Sequence, residues 1–340
     1  MKHPQDWLSV RPEGLYCVPG DFFVDPLRPV PRAVITHAHA DHARPGHQAI
    51  LATAETLALM RTRMGEALGT ASLQPLTPGE IIAINDTRVW LQPAGHVLGS
   101  AQVAIEHAGA RVVISGDYKR APDPTCSPFI PIPCDVFVTE ATFGLPVFTH
   151  PPATQEAAKL LESTRLFPER GHLVGCYALG KTQRLIGVLR SLGYDDPIYL
   201  HGALIPVCET YERLGIPLGT LLPATGAAPA ELAGKIILAP PSALADRWSR
   251  RFPEPLTALA SGWMRVRQRA KARGVELPLV ISDHADWPEL LATFDDVAAP
   301  EIWVTHGEEQ ALIHAATARG LIGRALRLIG YGDAAEEEAA

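Results

Sequence analysis

"THAHADH", residues 36–42, is the stretch on which the reading of the whole chain turns. It continues directly from the apolar run "AVIT" (33–36). In an extended chain, residues i and i+2 point the same way, so His37 and His39 at a strand end can reach one cation. Asp41 and His42 follow as the chain turns and can face a second cation close by. Imidazole and carboxylate together suit zinc, manganese or iron, not calcium. A lone histidine is more often structural. Three histidines and an aspartate within six residues, straight after a buried strand, have the type and spacing of metal ligands.

Further donors stand at other strand ends. His96 lies in "PAGHVLGSA", Asp117 in "VVISGDY" and His306 in "WVTHGEE", each after an apolar run. Singly, each is also explained as a capping aspartate or a core histidine. Beside residues 36–42 they complete two cation sites, with the two oxygens of Asp117 able to bridge them. Glu140 ends "VFVTE", and His284 sits in "VISDHAD". A carboxylate next to a histidine raises the imidazole pKa and fixes its tautomer, which makes a general acid. The plainer alternatives are a helix cap for Glu140 and a structural role for His284.

Around these residues the chain divides in two. Up to about residue 150, short β-rich runs (22–25, 88–94, 101–106, 111–117, 136–140) alternate with Gly/Pro turns and one helical pattern at 53–64. That composition predicts a sheet sandwich. After "FTHPPA" (148–153), helices at 154–165, 181–192 and 204–214 alternate with strands at 172–176, 197–201 and 235–239. This predicts a doubly wound α/β lobe over 151–274. It closes on the basic, helical run "MRVRQRAKARG" (264–274). From 275 to 330, two strand-then-helix units (277–284 with 286–293, 301–308 with 308–318) return to the first lobe.

Composition sets outer limits. The chain has 340 residues, 47% of them hydrophobic, which is enough for two buried cores and excludes a disordered chain. The net charge is −7, and removing Asp333, Glu336, Glu337 and Glu338 of the 331–340 tail leaves −3. That balance does not announce a nucleic-acid binder, yet leaves room for a local basic groove. Five cysteines without C-x-x-C spacing read as reduced, mostly buried thiols. With no apolar signal core at the start and no membrane-length apolar run, a cytoplasmic location without membrane association is expected.

Taken in order, these motifs resemble the metallo-β-lactamase superfamily, and within it the β-CASP branch of nucleases. The resemblance runs from Asp25 in "FVDP" through residues 36–42, His96 and Asp117 to Glu140, His284 and His306. It implies an α/β fold: an αββα sandwich formed by 1–150 and 275–330, with 151–274 as an inserted α/β β-CASP domain. It implies two divalent metal ions, zinc or manganese with iron possible. His37, His39, His96 and Asp117 would hold one, and Asp41, His42, Asp117 and His306 the other. Asp25 would support the histidine loop. Asp41 and His284, the latter backed by Glu140, would act in catalysis.

The opening "GDFFVDPLRPVPRAVITHAHADHARPGH" and "GCYALGKTQRL" (175–185) are similar to the bacterial ligase-associated DNA exonuclease group. That implies a DNA substrate and a repair role alongside an ATP-dependent DNA ligase and a helicase. DNA nucleases of the Artemis type usually carry Val at the last motif and RNA-processing members His. His306 therefore keeps RNA 3′-end processing open. A small-molecule metallo-hydrolase of lactamase or thioesterase type is a further alternative, disfavoured by Glu140, His284 and the inserted lobe.

"GCYALGKT" also fits the phosphate-loop pattern G-x-x-x-x-G-K-[ST] between a strand and a helix. No neighbouring strand ends in the acid that would hold Mg²⁺, so ATP binding is disfavoured. Lys181 is instead a candidate for gripping a polymer phosphate. Arg265, Arg267 and Arg269 are candidates too, although alternate helix positions diverge and cannot all face one groove.

Overall fold

A computed structural model describes residues 2–328; the acidic tail read at 331–340 lies outside the described residues. The chain forms two compact units. One comprises the chain up to Pro122, Cys126–Phe148 and the chain from His284 onward; the other comprises Asp123–Thr125 and Thr149–Asp283.

The first unit contains two sheets. One runs in chain order through β1 (Leu8–Arg11), β2 (Gly14–Cys17), β3 (Phe22–Val24), β4 (Arg32–Val34), β5 (Ala49–Ala52) and β6 (Ser72–Pro75). The other holds β7 (Ile82–Ile84), β8 (Thr87–Pro93), β9 (Ala101–His107), β10 (Ala110–Ile114) and β11 (Val136–Ala141). It is extended beyond β11 by β18 (Glu301–Gly307) and β19 (Ile322–Ala325). Alternation along its strands sorts the side chains. Val89, Leu91, Val103, Ile105, Val112, Ile114, Val136, Val138 and Trp303 face Leu15, Phe22, Val24, Val34 and Leu51 of the first sheet. Trp90, Ala104, Val113, Phe137, Ile302 and Val304 point to the opposite face. There they meet Leu290, Phe294 and Val297 of α7 (Trp287–Val297) and Leu312 and Ala316 of α8 (Glu309–Ala318). Full burial of each large apolar side chain contributes about 1.5–3 kcal/mol.

Strand direction decides where the functional ends fall. β10, β11 and β18 are mutually parallel, and two antiparallel steps through β9 leave β8 running the same way. The carboxyl ends of β8, β10, β11 and β18 therefore share one edge of the sheet. The first sheet is tied in by the Ala101 N–H, which donates to the Thr36 carbonyl at 2.9 Å. On that sheet α1 (Ala54–Met64) starts at Thr53, whose hydroxyl accepts from Thr56 N–H and donates to the Gly99 carbonyl.

In the second unit all six strands are parallel, as helical crossovers require. Their order is β14 (Leu221–Pro223), β13 (Ile198–Leu200), β15 (Ile236–Ala239), β12 (His172–Gly175), β16 (Leu256–Ala260) and β17 (Leu277–Leu279). Its helices are α2 (Ala153–Leu166), α3 (Lys181–Ser191), α4 (Ile205–Arg213), the short α5 (Pro229–Leu232) and α6 (Arg267–Ala272).

Two expectations need correction. The strand read at 277–284 ends at Leu279 and pairs with β16, so it belongs to the second unit, which closes at Asp283 rather than at 274. Its continuation is lost because the Val280 N–H turns to the Glu156 carboxylate, 2.9 Å away. The basic run read as one helix over 264–274 is a 3-10 turn, Gly262–Arg265, then α6. An extended Val266 separates the two.

Candidate metal centre

Residues remote in sequence converge at the shared edge of the first unit. His37 and His96 are fully buried and Asp117 nearly so, while His39 is half-buried. The His37 Nε2 stands 3.1 Å from His39 Nδ1, and His96 Nε2 stands 2.9 Å from the same atom. Asp117 Oδ2 lies 3.5 Å from His37 Nε2 and 3.8 Å from His96 Nε2. Tetrahedral zinc with donors at about 2.0–2.1 Å sets neighbouring donors roughly 3.3–3.4 Å apart. This donor set therefore has the chemistry and the spacing to hold one cation. Asp117 Oδ2 is also 3.4 Å from His42 Nε2, and His42, Asp117 and His306 form a second cluster sharing that carboxylate. Asp41, whose side chain is 26% exposed, has Oδ2 3.5 Å from His42 Nε2 at the rim.

The far sides of the His37 and His42 imidazoles are fixed. Asp25 Oδ2 is 2.7 Å from His42 Nδ1 and accepts the Thr36 hydroxyl at 2.6 Å, and Oδ1 accepts the Thr36 N–H at 2.8 Å. With its proton given to Asp25, the Thr36 oxygen faces His37 Nδ1 at 3.0 Å as an acceptor. Both rings then direct Nδ1–H outward and turn Nε2 towards Asp117. Holding the tautomer in this way is how outer groups orient metal-binding histidines. Thr36 was quoted in the sequence motif without a role. A hydroxyl directly before H-x-H at a strand end is the signal that points to it.

Backbone packing supports the same edge. At Gly116, φ is +55° and a Cβ would stand 2.7 Å from the Thr36 side chain, so only glycine brings Asp117 this close. Asp25 and His306 adopt φ of +44° and +55°, a region that non-glycine residues occupy at a cost and that recurs at functional sites.

A separate pair sits beside this cluster. His284 Nδ1 is 2.9 Å from Glu140 Oε2, and Glu140 Oε1 accepts the Tyr118 N–H at 2.7 Å. This leaves His284 Nε2 as the ring's other reactive atom. Burial shapes the charges throughout. It pushes His37 well below the ordinary imidazole range, and His42 adds to the effect. It opposes charge on His42 too, but Asp117 and Asp41 outweigh it and hold that ring well above the usual value. Burial likewise works against the Asp117 charge, yet His42 and His284 keep the carboxyl well below its usual range. Glu140 is pushed up by burial against the pull of His284, and burial with His42 brings His306 down to about 4. A proton on His42 thus neutralises Asp117 where a second cation would do so.

No family model matches the chain. A probable DNA ligase of Opitutus terrae is 30% identical over 316 residues, 91% of this chain and 30% of that protein. Endoribonuclease ysh1 of Aspergillus fumigatus is 39% identical over 119 residues, 34% of this chain and 13% of that protein. Cleavage and polyadenylation specificity factor subunit 3 of Dictyostelium discoideum is 31% identical over 139 residues, 38% of this chain and 18% of that protein. The chain belongs to the β-CASP branch of the metallo-β-lactamase superfamily. It spans less than a third of the length of each of these relatives. A protein of unknown function from Enterococcus faecalis V583 shares its fold, with a TM-score of 0.57, 12% identity and coverage of 87% of this chain and 78% of that one.

In this β-CASP protein, Asp25, His37, His39, Asp41, His42, His96, Asp117, Glu140, His284 and His306 all lie in the first unit. Lys181, Arg265, Arg267 and Arg269 lie in the second. The three arginines are exposed, and Arg269 stacks over Trp263 at 4.0 Å.

Lys181 departs from its reading as a phosphate grip. It is buried, with Nζ 3.6 Å from Asp283 Oδ2, and Arg184 Nε lies 3.3 Å from Asp283 Oδ1 and 2.8 Å from Asp123 Oδ2. The loop amides are engaged as well: Gly180 N–H donates to Gln183 Oε1 at 2.8 Å and Thr182 N–H to the Tyr177 carbonyl at 3.1 Å. A phosphate loop needs those groups turned to its ligand.

Cys17, Cys176 and Cys208 are buried and all five cysteines are free thiols. Among the described residues no helix is long and apolar enough to cross a membrane.

Proposed function

We propose that this chain is a metal-dependent nuclease that hydrolyses phosphodiester bonds, with DNA as the favoured polymer and an exonucleolytic role in bacterial repair. The second unit would be the β-CASP domain inserted in an αββα sandwich. The observation that carries this reading is one carboxylate, Asp117, shared by two imidazole clusters and adjoining a His–Glu pair. Two divalent cations, zinc or manganese, fit that donor set. His37, His39, His96 and Asp117 would hold one; Asp41, His42, Asp117 and His306 would hold the other. Bound there, the cations would neutralise phosphoryl oxygens and lower the pKa of the attacking water.

The chain's own groups would do the rest. Asp25 and Thr36 keep the Nε2 atoms of His42 and His37 turned inward, where a cation would displace the proton that His42 carries without it. Asp41 at the rim would take up the proton of the attacking water. His284, with Nδ1–H on Glu140, would give the Nε2 proton to the departing sugar oxygen as the P–O bond breaks. The relative named as a probable DNA ligase, which matches 91% of this chain, supports DNA and a functional link to a ligase. ATP dependence of that ligase and a helicase partner enter this proposal through the family resemblance alone. Relatives named as endoribonucleases, together with His306, favour RNA processing as the second reading.

End-labelled single- and double-stranded DNA and RNA, incubated with metal-stripped protein re-supplied with one cation at a time, test this. Stepwise loss from DNA ends with Mn²⁺ or Zn²⁺ is expected. Faster internal or terminal cleavage of RNA would transfer the assignment to the second reading. Hydrolysis of a thioester or lactam with neither polymer cut would end both.

A further inference from the structure

The loop leaving β10 does more than deliver Asp117. The Tyr118 N–H donates to Glu140, and the Tyr118 carbonyl accepts the Ala285 N–H at 2.6 Å, one residue after His284. Lys119 N–H donates to the Ala94 carbonyl at 3.0 Å, just before His96. The side chain of Lys119, buried, donates to Glu289 Oε2 at 2.6 Å, and Ala121 N–H donates to Glu289 Oε1 at 2.7 Å. Glu289 Oε2 also accepts the Asp286 N–H at 3.0 Å, and Glu289 N–H donates to Asp286 Oδ1 at 3.1 Å. One carboxylate thus joins the segment after Asp117 to the segment after His284, within the same unit.

We propose that Glu289 is a positioning residue: through Lys119, Ala121 and Asp286 it sets the His284 ring against Glu140 and Asp117. The plainer role is the third residue of the capping box that starts α7. A cap, however, needs only the oxygen on Asp286. The bonds to the Lys119 ammonium and the Ala121 amide contribute nothing to the helix. They connect two loops that carry reactive side chains, and in a low-dielectric setting a charge-assisted bond holds geometry more firmly than a neutral one. The inference rests on the reading above in which His284 protonates the leaving oxygen.

Glu289→Gln separates the two roles. Glutamine also serves in a capping box, so α7 keeps its start. Its amide NH₂ cannot accept from Ala121, and the Lys119 charge loses its partner. For an oligonucleotide, kcat should fall about 10–100-fold, the usual scale for an orienting group, while KM and bound metal stay unchanged. For a p-nitrophenyl phosphodiester, whose leaving group departs without a proton, the loss should vanish. In metal-free protein the downfield Nδ1 proton resonance of His284 should shift. Lys119→Met, which leaves the cap intact, should reproduce the pattern if Glu289→Gln folds poorly. Equal losses on both substrates with an unmoved resonance would reduce Glu289 to a cap and overturn the inference. His284→Ala run beside them keeps the outcomes apart. If it shows no dependence on the leaving group, the proton-donor reading itself fails, and the inference falls with it.

Discussion

Two loops of this protein carry motif-like sequences at strand ends, and they have opposite fates. In residues 36–42 His37 and His42 each keep one nitrogen for an outer partner and turn the other inward, so donors from five separated segments meet around Asp117. In residues 175–185 the lysine that should reach outward is sunk into an ion pair with Asp283, and the loop amides are bonded within the loop. Sequence spacing was satisfied in both places. What differs is where the hydrogen-bonding capacity is spent. A motif loop is poised for a ligand when its inner partners leave reactive atoms over, and it is structural when they consume them.

The sharpest way to break this contrast is Asp117→Ala. It removes the one oxygen common to both clusters, and bound cation and cleavage should both fall to background, as read by metal analysis and end-label release. Lys181→Met comes next and should act only on folding. Removing one member of a buried pair costs about 3–5 kcal/mol, so the unfolding midpoint of the second unit should drop while metal content holds. A loss of substrate affinity and of its salt dependence, with stability intact, would instead restore the phosphate-grip role.

Asp25→Asn should be milder. It keeps the shape but removes the charge behind His42 and Thr36, for about a 10–100-fold loss in metal affinity, checked by competition with a chelator. The smallest effect is a single proton. In metal-free protein His42 is held well above the ordinary imidazole pKa, so it is protonated at neutral pH, whereas His37 is held neutral. Filling the His42 cluster should therefore release a proton and tighten as pH rises, while the His37 contribution adds no such release. Calorimetry of metal binding in buffers of different ionisation enthalpy reads it.

Much of the candidate site could be read in advance because its signals are local. His37 and His39 share a direction through strand geometry, and Asp117, Glu140 and His306 each stand at the end of a long apolar run. Long, doubly buried strands such as β9 and β11 announced themselves for the same reason. The three-residue strands β7 and β14 did not, since they are partly exposed and form no buried apolar run, unlike the equally short β3 and β13. The fate of Lys181 was hidden because its partner, Asp283, is far away in sequence, and nothing local distinguishes a lysine that will be buried. Glu289 carried no signal in the sequence for the same reason: Lys119 and Ala121 become its neighbours only in the folded chain.

The left-handed backbone at Asp25 and His306 has a consequence for anyone engineering this chain. Glycine would relieve each position of roughly 1 kcal/mol of conformational cost. A library screened for heat resistance alone should therefore enrich Gly at residue 306 and discard the imidazole, yielding sturdier proteins that have forgotten their chemistry.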